Sequence, residues 1–277
     1  MNGHEHQRMF WFRGSTMAVG GRIESPVCET IDAQGACVLP PTGGFASASV
    51  EKFSHRNIIG FDRVSSTVSG QKVRHGKQTA GETLVTVAIE GLNVLNVVTA
   101  DRVVARMSSM HVREDDEASS RSEILPFGSH FENLRIGGVP IDLKPYPELV
   151  ERGDHEALIR PCADRSFPWI DANGVPIRED DAGGEAQSDL QRRGSVPDRP
   201  RLAPLFRLGK DGAAVPPGCS MRGEHGIRIP GFGVVYFGEY LVTRASRRLT
   251  MMRIELGCPI TGSIVCGNVD SNGHWDP

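Results

Sequence analysis

Residues 82–143 constrain the fold more than any other part of this chain, because they read as successive strands and carry no arrangement of reactive groups. Thr83-Leu84-Val85-Thr86-Val87-Ala88-Ile89 is followed by Leu92-Asn93-Val94-Leu95-Asn96-Val97-Val98, and then by Arg102-Val103-Val104-Ala105-Arg106-Met107. After a polar interruption the pattern resumes at Phe131-Glu132-Asn133-Leu134-Arg135-Ile136, ahead of Gly137-Gly138. Branched side chains suit a pleated surface, and Gly, Asn and Asp suit the turns between strands. The stretch therefore predicts antiparallel sheet.

The pattern continues on both sides. Residues 17–23 predict a first strand with a glycine kink, residues 45–50 alternate small and polar residues like an exposed strand, and residues 65–80 read as a polar hairpin with a loop. Residues 234–242 predict another strand. Over residues 249–256, Thr250, Met252, Ile254 and Leu256 should point one way and Met251, Arg253 and Glu255 the other, a half-buried strand. Residues 262–269 add a last strand. The expected fold is mainly β and sandwich-like, with a loop-rich insertion and at most one or two short helices; no fixed period points to a solenoid.

Domain organisation follows from composition. Residues 1–14 read as a flexible tail, 15–144 as a β domain, 145–222 as a loop-rich insertion, and 223–277 as strands completing the β domain. Two separate β domains joined by the insertion are the alternative. Within the insertion, residues 147–160 hold the one candidate helix, and 179–203 carry too little apolar surface to offset chain entropy. Arg152-Gly153-Asp154 and Arg192-Arg193-Gly194-Ser195 match short adhesion and kinase motifs that recur by chance.

Charge balance points away from polyanionic partners. The chain has 31 basic and 34 acidic side chains, for a formal net charge of −3. No nucleic-acid partner is expected. No segment approaches the roughly 20 apolar residues that span a bilayer, and the N-terminal residues lack the pattern of a secretory leader. Six cysteines allow hairpin-closing disulfides, Cys28–Cys37 and Cys258–Cys266, or else reduced thiols packed as small hydrophobes, which the missing leader favours.

A search for reactive constellations ends on one short stretch. No nucleophile elbow, phosphate loop or zinc-binding helix motif occurs, and Gly231-Phe232-Gly233 leads into a strand where a dinucleotide site needs a helix. The acidic run 114–117 lacks the spacing of a calcium loop, and no cofactor or metal is implied. Cys219-Ser220 with Glu224-His225 brings nucleophile, acid and base types together. Adjacent residues of an extended chain face opposite ways, however, so Glu224 is poorly placed to orient His225. Asp164 is a further candidate acid, and Trp169 and Trp275 are candidate platforms for a glycan.

Several segments together resemble a known group. These are Leu39-Pro40-Pro41-Thr42-Gly43-Gly44, the run from Glu90-Gly91-Leu92-Asn93 to Thr99-Ala100-Asp101-Arg102-Val103, and Gly128-Ser129-His130-Phe131-Glu132-Asn133-Leu134-Arg135-Ile136-Gly137-Gly138. They resemble the bacterial choice-of-anchor P proteins over roughly residues 17–143. The resemblance implies a β-rich, exported protein without an assigned activity. The functional expectation is a non-enzymatic structural or interaction protein, with protein partners or self-assembly, in a cell-surface or extracellular assembly. The alternatives are a carbohydrate-binding module and an enzyme whose site is built from distant loops.

Overall fold

The computed structural model describes residues 9–113, 121–146, 201–208, 215–242, 247–257 and 259–276. Strand β1 spans Phe10–Ser25, followed by β2 (Glu29–Gln34) and β3 (Cys37–Val38). Four long strands form a meander: β4 (Gly44–His55), β5 (Ile59–His75), β6 (Gln78–Val94) and β7 (Val98–Val112). Short strands follow: β8 (Arg121–Leu125), β9 (His130–Glu132), β10 (Arg135–Ile136), β11 (Val139–Pro140) and β12 (Lys144–Pro145). Beyond the insertion come β13 (Arg201–Pro204), β14 (Phe206–Arg207), β15 (Ser220–Arg222) and β16 (Gly226–Ile229). The chain closes with β17 (Gly233–Val242), β18 (Arg247–Leu256) and β19 (Thr261–Trp275). No described residue is helical, and every pairing is antiparallel.

Two sheets face each other. The first, sheet A, runs β15-β16-β17-β18-β19-β1-β2, with β13 added on β17 and β3 on β1; the second, sheet B, runs β11-β10-β7-β6-β5-β4, with β8 and β9 on β7. A single buried cluster fills the space between them, drawing Val64, Val87, Val103 and Met107 from sheet B and Val19, Phe237, Ile254 and Ile264 from sheet A. Ser271 Oγ of β19 donates to Ser109 Oγ of β7 at 2.9 Å across the gap, and Trp275 Nε1 donates to the His111 carbonyl at 3.1 Å. Because β1 sits between β19 and β2, the two ends of the chain close one sheet.

β1 begins at Phe10, inside the stretch that composition assigns to a tail. Phe10 and Phe12 alternate inward and are buried, which draws these residues into the sheet. Likewise β5 runs on to His75, through residues that read as a loop, because Val64, Ser66 and Val68 keep an inward period of two. At the far end, β13 includes residues 201–203 of the stretch expected to stay unfolded, pairing them with Tyr240–Val242. The candidate helix and the two short motifs lie outside the described residues.

The alternation of inward and outward residues breaks once in each long strand, and the breaks line up. In β6 the inward residues are Val85, Val87 and Ile89, then Leu92 and Val94. In β5 they are Ile59 and Phe61, then Val64, Ser66 and Val68; in β7, Val98 and Ala100, then Val103, Ala105 and Met107. A one-residue slip sends the rest of a strand to the other face, so a kink is tolerated only if neighbouring strands kink at the same row. That row in sheet B is Lys52, Asp62, Gly91, Asp101 and Asn133. On alternate strands its residue is left-handed: Lys52 at φ 52°, Gly91 at 66° and Asn133 at 50°. Sheet A repeats the device with Gly238 (65°), Met251, Gly267 (64°), Ala18 and Gly35 (60°). This corrects the expected alternation in β18. Met251 and Met252 are both fully buried, and Thr250 is only partly so.

Candidate interaction surface and the buried ion-pair cluster

Where sheet B kinks, two successive residues of each strand face outward, and nearly all of them are charged. Glu51 pairs with Arg63, Arg63 with Glu90, Glu90 with Arg102, and Arg102 with Glu132. Opposite charges therefore alternate across the outer face of the sheet, from its edge strand β4 to β9. Arg63 Nη2 lies 3.0 Å from Glu51 Oε1, and Arg102 Nη1 lies 3.7 Å from Glu132 Oε1. In the adjoining row, Asn133 Nδ2 donates to Asp101 Oδ2 at 2.6 Å. Cross-strand pairs of this kind fix register and individually contribute little to stability.

The ladder ends at β4, which has a sheet neighbour on one side only among the described residues. β4 is twelve residues long. Its outward residues are exposed, while Ala46, Ala48, Val50 and Phe53 on the inner side are only partly covered. Phe53 stacks on Phe61 with ring centroids 5.1 Å apart. Such an edge presents unpaired backbone N–H and C=O groups that can template another strand. Natural edges are commonly blunted by proline, by lysines or by shortness, yet residues 44–50 contain neither proline nor charge.

A second constellation lies on the outer face of sheet A. Glu239 of β17 accepts from Arg253 of β18 through two bonds, Nε to Oε2 at 2.7 Å and Nη2 to Oε1 at 2.6 Å. His225 is fully buried, with Nε2 at 3.4 Å from Glu239 Oε1 and no hydrogen-bond partner for Nδ1 among the described residues. The Arg253 guanidinium also stacks 4.1 Å from the Tyr236 ring centroid and bonds Glu255. Phe237 meets Phe131 of the facing sheet and a Cβ on Gly238 would meet Phe206, so this pair of β17 turns inward and Tyr236 and Glu239 share the other side. The kink thus lets Arg253 touch both. Burial alone pushes the Glu239 carboxyl up, but the Arg253 guanidinium and then His225 outweigh it and hold the group below its usual range.

The residues singled out in sequence are only partly brought together. Glu224 accepts from Tyr146 Oη at 2.6 Å and does not orient His225, whose carboxylate neighbour is Glu239. Ser220 stands exposed on β15. Burial raises the Cys219 thiol, the opposite of what a nucleophile needs. Sequence reasoning missed Glu239 and Arg253; a lone carboxylate inside Val234-Val235-Tyr236-Phe237-Gly238-Glu239-Tyr240 was the available signal. Trp275 is partly buried, edge-on to Phe10 at 5.0 Å, with Lys72 Nζ 5.6 Å from its ring. Trp169, Asp164, Cys162 and Cys258 lie outside the described residues.

The possible Cys28–Cys37 disulfide is not formed, and Cys266 is not bridged to Cys258 either; the reduced thiols favoured by the sequence are what the structure shows at Cys28, Cys37 and Cys266. Cys28 is an exposed thiol in the connection after β1, accepting from Arg22, whereas Cys37 is buried on β3, and both are free. Cys266 is a free thiol in the core, where burial pushes its pKa up to about 12. Among the described residues, no His, Cys, Asp and Glu side chains gather as a metal site, and no helix is long and apolar enough to cross a membrane.

Residues 10–169, more than half of the 277-residue chain, match the family described as Domain of unknown function (DUF8256). The chain belongs to that family. No curated protein and no solved structure matches it. The DUF8256 span contains the whole charged ladder and the β4 edge, together with β1 to β3 of sheet A. It stops before β17, β18 and β19, between which and β2 the first strand is held.

Proposed function

We propose that this DUF8256 protein is a non-enzymatic interaction protein that recruits a partner by strand addition at β4. The observation that carries this reading is the twelve-residue β4 itself, open along one side among the described residues, with neither proline nor charge over residues 44–50. A partner strand would gain backbone hydrogen bonds, cover the half-buried Ala48, Val50 and Phe53, and extend the charged ladder. Against catalysis stands the burial of His225, which leaves its ring out of reach of a substrate. Work in an assembly at or outside the cell surface, which the resemblance to choice-of-anchor P proteins would imply, belongs to the same proposal.

The test is photo-crosslinking in the cell of origin, with a benzophenone side chain at Ser47 or Ser49 of β4, or at Thr86 in the middle of sheet B. Discrete adducts from the β4 positions and none from Thr86 are expected. Equal labelling from all positions, or none from β4, overturns the reading.

A further inference from the structure

Resting on that reading, we infer that the strand added at β4 is β4 of a second copy of this chain, antiparallel, with Glu51 of each copy opposite Lys52 of the other. The argument begins with the kink. Along β4 the inward residues are Ala46, Ala48 and Val50, then Phe53 and His55, while Glu51 and Lys52 both face outward. A strand added to this edge must keep its apolar side inward on both sides of the row. For a second β4 related by a twofold axis, one register spanning the kink does so. It pairs residue 51 with 52, 50 with 53, 49 with 54 and 48 with 55 across the seam. Inward Val50 then meets inward Phe53, and outward Ser49 meets outward Ser54. Shifting this register by two residues sets an inward side chain against an outward one at the kink.

Charge agrees with this register independently. Glu51 faces Lys52 twice across the axis, once in each direction, and no like charges are apposed. The ladder Glu132, Arg102, Glu90, Arg63, Glu51 therefore continues into the second copy through Lys52 without a break in sign. The backbone supplies a third observation. Lys52 is left-handed, a conformation that disfavours a side chain with a Cβ, at a row where other strands use Gly91 and Asn133. This turn of the backbone sets Lys52 outward on the same side as Glu51, where its ammonium group can face a second copy. Finally, the described strands that follow residue 200 lie at the opposite end of the sandwich from β4, where Leu205 N donates to the Gly238 carbonyl and Phe206 meets Phe131.

Sedimentation of the full-length protein across a range of concentrations tests the inference. A reversible dimer is expected. Glu51→Lys and Lys52→Glu alone should each raise its dissociation constant roughly tenfold, since each apposes like charges twice. An equimolar mixture of the two variants should restore association as a heterodimer, because each Lys-Lys edge then meets a Glu-Glu edge. Circular dichroism of each variant separates loss of association from loss of fold. A monomeric wild type, reversals without effect, or a mixture that stays monomeric overturns the inference. Photo-crosslinks from β4 to a different protein, with a monomeric wild type, overturn it while leaving strand addition standing. Absence of any β4 crosslink removes both.

Discussion

The kinked row of sheet A and that of sheet B use one backbone device to opposite ends. In sheet A the doubled residues face inward: Ala18 with Val19, Met251 with Met252, Cys266 with Gly267, and Phe237 with Gly238 are all buried. In sheet B they face outward, as Glu51 with Lys52, Asp62 with Arg63, and Asp101 with Arg102. The side to which the row turns decides its chemistry. Inward rows need glycine and fitted apolar groups, since a Cβ on Gly35 would sit 2.5 Å from Val64 Cγ1 of the facing sheet. Outward rows meet water, and opposite charges can alternate there at small cost. The lesson is that a sheet can change its buried face midway along every strand, provided all strands change together.

The largest expected effect breaks the inward row. Gly35→Val adds a branched side chain at φ 60° against Val64, and should cost about 4 kcal/mol or more, read as the urea midpoint. Next comes the covered charge on the outer face of sheet A. Arg253→Met leaves Glu239 buried without its guanidinium, and a loss of about 3 kcal/mol is expected, at the low end for buried pairs because Arg253 is partly exposed. The same carboxylate makes a pH test. Its pKa is lowered on folding, so its stabilisation is present above the ordinary value of 4.5 and is lost as pH falls below it. Wild type should therefore lose more stability than Glu239→Gln between pH 6 and pH 3, in paired denaturation curves. Equal losses would mean that the ion pair adds nothing to acid sensitivity.

The outward row should respond less. A Cβ on Gly91 would lie 2.1 Å from Asp62 Oδ2, but that carboxylate is exposed and free to swing away. Gly91→Ala should cost about 1–2 kcal/mol, mostly for its left-handed backbone. A cost matching that of Gly35→Val would erase the distinction between the rows. Smallest is a single rung: Arg63→Ala should shift stability by about 0.5 kcal/mol, and 1 M salt should halve even that.

How much of this was legible in sequence follows from the range of each interaction. The strands from residue 82 to 107 were readable because β-branched alternation is local, and so was the exposed strand at 45–50. The tail boundary was misplaced because Met9-Phe10-Trp11-Phe12 is a short apolar run beside a polar segment, and only β19 and β7, far along the chain, surround Phe10. The period of two in β18 was overextended because nothing at Met251 marks a kink. Its cause lies in the register with Gly238 and Gly267 on neighbouring strands. Of the candidate site, His225 was picked out by its neighbours in sequence, but its working neighbour Glu239 lies 14 residues away. The Cys28–Cys37 pairing rested on a short loop, and spacing could not reveal that one thiol faces solvent and the other the core.

By itself the sequence determined that this chain is an antiparallel β protein with turns at its Gly, Asn and Asp positions, since those choices depend on neighbours along the backbone. Tertiary structure decided which residues face inward beyond each kink, which charges align into a ladder, and which strand is left open at the edge. Those are properties of register between strands, and register arises only when segments far apart in sequence share one core.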